Sequence, residues 1–109
     1  MTTSRIYRTA ENWYPMDSRE ADYLTVDYTD MLDTGETLSS STVTCEVFSG
    51  EDATPSSRLS GSPEISSSRV RQLFEPSEAY VGYLVTFTTV TSTGRTLVIA
   101  GKLAVVKES

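Results

Sequence analysis

The chain has 109 residues, of which 38% are hydrophobic and 22% charged, and this suits one globular domain with a single core. It contains no histidine and one cysteine, Cys45, which excludes Ser-His-Asp and Cys-His catalysis, clustered zinc sites and disulfide frameworks. The net charge of −6 gives no concentration of Lys and Arg for nucleic acid, so we expect no nucleic-acid partner. Neither GxGxxG nor GxxxxGK occurs to hold a phosphate group, and we expect no cofactor.

The negative charge is unevenly distributed along the sequence. Residues 11–52 contain 11 acidic side chains and one basic side chain, Arg19, whereas the segments on either side each carry a net charge of +2. We interpret the acidic stretch at 17–36 as complementary to a basic surface of a protein partner.

Residues 1–20 show neither helical nor alternating periodicity but contain several large apolar side chains, and we interpret them as an N-terminal arm before a domain at 21–109. Either the arm covers an edge of its own sheet, or it docks on a partner through aromatic anchors. The docking interpretation assigns partner binding to Ile6, Tyr7, Trp13 and Tyr14. No segment resembles a membrane span or a signal peptide, so we expect no membrane partner.

Alternation of apolar and polar residues predicts β-strands from residue 22 onward. The inward faces of the first two strands are predicted to be Leu24, Val26 and Tyr28, and then Val43, Cys45 and Val47. Leu38 is out of phase with the second set, which predicts a bulge at 39–41.

The middle of the chain is rich in residues that favour loops. Residues 49–63 contain Gly, Pro and many Ser and predict a loop, in which Leu59 is a core anchor, followed by a second anchor at Ile65. A short strand is predicted at 69–74.

The last thirty residues predict a β-hairpin whose register follows from parity. The inward residues of its strands all have odd numbers: Tyr83, Val85 and Phe87, and then Leu97, Ile99, Leu103 and Val105. The inward residues of both strands lie on the same face only if the numbers of two residues opposite each other sum to an even number. A three-residue loop at 92–94 meets this condition, whereas a loop of two or four residues does not. This loop places Phe87 opposite Ile99. Gly94 suits the left-handed position of that loop.

Several short strands without a credible helix predict an antiparallel immunoglobulin-like β-sandwich, with a small barrel as the alternative. Tyr83 opens the penultimate strand, where such sandwiches often place a tyrosine whose hydroxyl bonds the preceding loop. We therefore expect a structural role for Tyr83.

Asp33-Thr34-Gly35 reproduces the signature of retroviral-type aspartic proteases, which pair two such aspartates in a dimer. The Ser-rich segment 49–63 does not match the Gly-rich flap of that family, and residues 103–106 indicate a strand where the family has a helix. A loop between two strands explains the tripeptide more economically, so we interpret the chain as non-enzymatic and retain a protease using Asp33 as the less favoured hypothesis.

Four acids recur every three residues, at Asp27, Asp30, Asp33 and Glu36. A calcium loop places its ligands two residues apart around a central Gly, which this run does not do. We interpret the acids as a solvated edge and predict no metal site.

From Pro15 onward the order of features resembles a family of small structural proteins of tailed phages and prophages, some of them known as fibre-tail adaptors. The resemblance covers most of the chain. It is carried by Asp22-Tyr23 with Val26-Asp27, Gly35-Glu36-Thr37-Leu38-Ser39-Ser40, Leu59-Ser60-Gly61-Ser62-Pro63-Glu64-Ile65-Ser66, Val70 with Gln72, Tyr83-Leu84-Val85-Thr86, and Thr91-Ser92-Thr93-Gly94-Arg95-Thr96-Leu97.

The resemblance implies an immunoglobulin-like sandwich without catalytic residues, repeated as a ring in the virion and bound to tail, portal or fibre subunits. It also implies that the protein is made in the host bacterial cytoplasm and ends in the particle. The sequence departs from the family at 75–82, where similar proteins have a Gly-rich loop, and before Pro15, where the arm is longer. A capsid decoration protein is the alternative function, and a carbohydrate-binding sandwich finds little support because Tyr23 and Tyr28 lie on opposite faces of their strand.

Overall fold

The structure is a computed structural model that describes residues 11–13 and 15–107. Within these residues the fold is all-β, and its helical part consists of two short 3-10 helices at Thr29–Met31 and Pro55–Arg58. No helix in the described ranges is long and apolar enough to span a bilayer. The strands are β1 (Glu11–Asn12), β2 (Met16–Asp17), β3 (Asp22–Asp27), β4 (Leu38–Ser49), β5 (Leu59–Ser66), β6 (Arg69–Phe74), β7 (Val81–Thr91) and β8 (Thr96–Val106).

The strands form two sheets that pack face to face. One sheet has the order β1-β8-β7-β4, with β2 also paired to β8, and the other has the order β3-β6-β5. Aromatic side chains join the sheets: the rings of Phe74 and Tyr83 lie 5.2 Å apart, edge to face, and the Tyr28 hydroxyl donates to the Phe87 carbonyl at 3.3 Å. This is the layered arrangement of a β-sandwich, with one core between the layers.

The predicted inward residues of β3 and of the β7–β8 hairpin are confirmed. Leu24, Val26 and Tyr28 are buried, and so are all seven residues that parity assigned to the hairpin core. Phe87 pairs with Ile99, the Thr91 N–H donates to the Arg95 carbonyl, and Gly94 has a φ of 88°. The three-residue loop at 92–94 therefore forms as the even-sum rule requires.

The prediction for β4 is also confirmed. Cys45 is buried, Val43 and Val47 are half-buried, and the register with β7 shifts between Leu38 and Ser40. Burial raises the pKa of the Cys45 thiol to about 12, so it is a packed apolar group.

The loop predicted at 49–63 is wrong in its second half, because β5 begins at Leu59. Pro63 and Gly61 are accommodated because β5 is an edge strand whose register with β6 shifts between Ser60 and Glu64. Ile65, expected in the core, keeps 37% of its surface exposed, since it lies on this edge strand opposite Val70.

The segment before β3 covers the outer edge of β8. Glu11 and Asn12 pair in parallel with Gly101 and Lys102, and β2 continues the pairing further along the strand. Between them, Trp13 packs against the core: its ring centroid lies 6.2 Å from that of Phe87, and its Nε1–H donates to the Thr25 carbonyl at 3.3 Å. Trp13 thus links the two sheets at the β8 side of the sandwich.

We expect Trp13→Ala to lower the free energy of unfolding by about 2 kcal/mol, roughly half the cost of truncating a fully buried tryptophan. Tyr23→Ala, which removes a 40% exposed aromatic residue, should cost less. Urea denaturation followed by circular dichroism measures both variants, and equal losses would contradict the structural role of Trp13.

Candidate interaction surface

The docking interpretation of the N-terminal arm predicts that four of its large apolar residues contact a partner. Ile6, Tyr7 and Tyr14 lie outside the described residues. Trp13 is described, and its ring contacts the core of its own domain. A partner surface must therefore be sought among the aromatic side chains that the fold leaves exposed.

Two large aromatic side chains protrude where β4 ends and β7 begins. Tyr80 is 74% exposed and Phe48 is 50% exposed. Their segments lie against each other, because Ser49 pairs with Gly82. We call Phe48, Tyr80, Gly82 and Lys102 the aromatic patch.

The Phe48 ring is positioned by its neighbours on the outer face of the sheet. It lies over Gly82, where an added Cβ would come within 2.8 Å of two ring carbons. The Lys102 ammonium lies 5.1 Å from the ring centroid, within cation–π distance. Gly82 thus provides the space that lets the Phe48 ring pack closely against the backbone of the sheet.

Tyr80 is held by its backbone and leaves its side chain free to contact a partner. Its φ of 68° is left-handed, which is strained for a residue with a Cβ. Its N–H donates to the Val105 carbonyl at 2.6 Å, and its own carbonyl is so close to Gly50 that a Cβ there would approach within 2.8 Å. A strained backbone around a highly exposed aromatic side chain marks the position as a candidate contact.

A partly buried polar cluster lies next to the same region. The Tyr83 hydroxyl donates to Asp52 Oδ2 at 2.6 Å, and the Thr54 N–H donates to Asp52 Oδ1 at 2.9 Å. The Tyr83 hydrogen bond holds the pKa of Asp52 below its ordinary value, and burial raises the pKa of Tyr83. Tyr83 has the expected structural role, but its hydroxyl bonds a side chain 31 positions upstream rather than the loop directly before it.

At the opposite end of β7, Glu36 forms a second buried network. Its side chain is 1% exposed, and Arg95 donates to both carboxylate oxygens. Thr91 and Thr93 donate through their hydroxyls, and Asp33 donates its N–H at 2.9 Å. Because these donors, Arg95 above all, favour the ionised form, the pKa of Glu36 lies well below its ordinary value of 4.5.

The solvated acidic edge predicted at 27–36 is therefore wrong for Glu36, since its carboxylate has a charged partner from the distant hairpin. The carboxylate of Asp33 is 66% exposed and lies 3.9 Å from Arg95. Asp33-Thr34-Gly35 forms the turn that presents Glu36, with Gly35 at a φ of 83°. Among the described residues, no group of three or more His, Cys, Asp or Glu is placed to hold a metal ion.

The outer face of the three-stranded sheet carries its own ion pairs. Arg71 donates to Glu64 at 2.9 Å while its guanidinium lies 4.0 Å from the Tyr23 ring centroid. Arg69 donates to Asp27 at 3.2 Å. These arginines are already engaged, so this face offers less to a partner than the aromatic patch does.

Sequence reasoning missed both aromatic residues of the patch. The inward residues of β4 have odd numbers, so the even number of Phe48 predicts that its side chain lies on the outer face of the sheet. The sequence alone therefore contained the information needed to find Phe48. Tyr80 lies in the loop before β7, where the sequence has no periodicity that could indicate exposure.

A comparison with protein-family models finds none that matches this sequence, and a comparison with curated proteins finds none that is significantly similar.

We expect Glu36→Gln to lower the melting temperature by at least about 5 °C, because Arg95 loses its main charged partner, the buried Glu36 carboxylate. Glu46→Gln, on the exposed side of β4, is the matched control and should change little. The folded pKa of Glu36 is below the unfolded one, so its contribution is present above the ordinary value and is lost as the pH falls. The difference between wild type and Glu36→Gln should shrink from about pH 5 to about pH 2, and a constant difference would contradict the assignment.

We expect Tyr83→Phe to lower the free energy of unfolding by about 1–2 kcal/mol, since it removes a hydrogen bond to a charged acceptor. Tyr80→Phe removes the same hydroxyl from an exposed ring and should cost much less. Chemical denaturation measures both variants, and an unchanged Tyr83→Phe protein would show that the bond to Asp52 does not stabilise the fold.

Proposed function

We propose that this chain is a non-enzymatic structural protein of a tailed-phage virion, an adaptor that joins the tail or portal complex to fibres. The observation that carries the proposal is the aromatic patch, in which Phe48 and Tyr80 are exposed on positioned backbone. Tyrosine and other large aromatic residues are typical anchors of protein interfaces. The sequence resemblance supplies the class of particle.

The strand order supports an immunoglobulin-like identity for the sandwich. With β3 to β8 read as strands B to G, the sheets have the orders B-E-D and C-F-G. Immunoglobulin-like domains have this arrangement, and they place a structural tyrosine near the start of strand F, as Tyr83 is placed at the start of β7. Such domains serve as rigid modules, which suits an adaptor that works by holding its partners in a fixed orientation.

The aromatic patch gives the adaptor a preorganised contact. Gly82 and Lys102 fix the Phe48 ring, and the Tyr80 backbone is held by Val105, so little side-chain or loop ordering is needed on binding. Ile6, Tyr7 and Tyr14 stay in the proposal as further contacts from the N-terminal segment, and the acidic stretch at 17–36 as a complement to a basic partner surface.

The test is incorporation into particles of the phage that encodes the chain. We expect immunogold labelling at the tail or neck, with a copy number that fits a ring around the tail axis. The variant Phe48→Ser/Tyr80→Ser should fold but be missing from particles, which should carry fewer fibres. Tyr23→Ser, which removes an exposed tyrosine from the other sheet, should incorporate normally.

Three results would overturn the proposal. Absence of the wild-type protein from purified particles would remove the virion assignment. Labelling over the capsid at hundreds of copies would replace the adaptor with a decoration protein. Normal incorporation of the double variant would move the contact away from the aromatic patch.

A further inference from the structure

Among the described residues, each sheet has two edges, and three of these four edges are protected against pairing with another chain. The edge of β8 is covered by β1 and β2. The edge strand β5 contains Pro63 and shifts its register, and β3 has only six residues with Asp22 and Asp27 at its ends. Proline, bulges, charges and short length are the usual means of protecting a sheet edge.

The fourth edge strand, β4, has few of these protections. It has twelve residues, and Ser40–Val47 pair with β7 without a break in register. Its sequence contains no Pro, Lys or Arg, and its one charged residue is Glu46. Within the described residues, all strand pairing of β4 is to β7, while β5 and the 3-10 helix at Pro55–Arg58 lie close to β4 without pairing to it.

We propose that β4 pairs with β4 of a second copy of this chain, antiparallel about a two-fold axis that places Val43 opposite Val43 of the other copy. The numbers of paired residues then sum to an even number, so the inner and outer faces of both sheets coincide. Thr42 lies opposite Thr44 of the other copy, and Ser40 lies opposite Glu46.

The residues of β4 favour this register over its neighbouring registers, and they favour pairing with β4 over pairing with another edge strand. Thr–Thr pairs are favourable across strands, the half-buried Val43 meets an apolar partner, and no two like charges are opposed. Of the two neighbouring even registers, one pairs Thr44 with Thr44 and Thr42 with Glu46, and the other pairs Thr42 with Thr42. Both separate the two Val43 side chains. Pairing with β3 or β5 of another copy would add Asp27 or Pro63 to the interface.

The charge of the chain sets how the dimer responds to salt. Each copy carries a net charge of −6, although the contacting residues are nearly all neutral. Long-range repulsion therefore opposes association and is screened by salt. The inference is independent of the adaptor proposal, because it concerns the free protein in solution.

Sedimentation velocity on the full chain tests the pairing. We expect a concentration-dependent dimer that tightens in added NaCl. Thr42→Lys/Thr44→Lys should weaken the dimer by about tenfold or more, since two like-charged pairs then face each other across the axis. Thr42→Lys/Thr44→Glu should regain it, because each lysine then faces a glutamate. Thr25→Lys, an equivalent change on the exposed side of β3, should leave the dimer unchanged.

Cysteine crosslinking tests the register without relying on charge. A mixture of Thr42→Cys and Thr44→Cys proteins should form disulfide-linked dimers faster than either protein alone. A wild-type protein that stays monomeric at high concentration and high salt would overturn the proposal. So would equal dimerisation of the two charge variants, or crosslinking that is no faster in the mixture.

Discussion

The inner face of β7 is the constraint on which the rest of the structure depends. Its odd-numbered residues point inward along the whole strand, but their chemistry changes: Val85 and Phe87 are apolar, whereas Thr89 and Thr91 are buried hydroxyls. The apolar half holds the two sheets together. The polar half supplies hydrogen bonds, from Thr89 to the Tyr28 hydroxyl and from Thr91 to Glu36. The Glu36 carboxylate can be buried at this end because Thr91 of the strand and, above all, Arg95 from the turn that follows it donate hydrogen bonds to it.

The difference between the apolar and the polar half of β7 also explains which parts of the structure could be predicted from the sequence. The β7–β8 hairpin followed from parity, because only one loop length buries both apolar faces, and the structure has that loop. The site of Glu36 did not follow, since its main partner, Arg95, is 59 positions away and acids spaced every three residues say nothing about burial. The strand at 59–63 was missed because Gly61 and Pro63 favour a loop, and only pairing with β6 at a sheet edge makes room for them.

Trp13 shows why a large aromatic residue in an unpatterned segment does not by itself identify an interface. Its indole links Phe87 of one sheet to Thr25 of the other, at the side where β1 and β2 complete the edge of β8. The protein uses that aromatic surface for its own stability. Among the described residues, the two most exposed aromatic side chains are those of Phe48 and Tyr80, at positions fixed by glycine neighbours and a strained backbone. Exposure, which only the fold reveals, separates the two roles.

The uneven charge along the sequence is partly cancelled in space. Three arginines of the mildly basic C-terminal part return to acids of the segment 11–52: Arg58 to Asp52, Arg69 to Asp27 and Arg95 to Glu36. The pairs Arg69–Asp27 and Arg95–Glu36 connect distant parts of the chain, so the uneven charge of the sequence contributes first to holding the fold together. What it leaves for a partner is the smaller set of exposed acids in residues 20–51 that these pairs do not engage. A basic partner would therefore add electrostatic steering to a contact whose affinity comes from the aromatic patch.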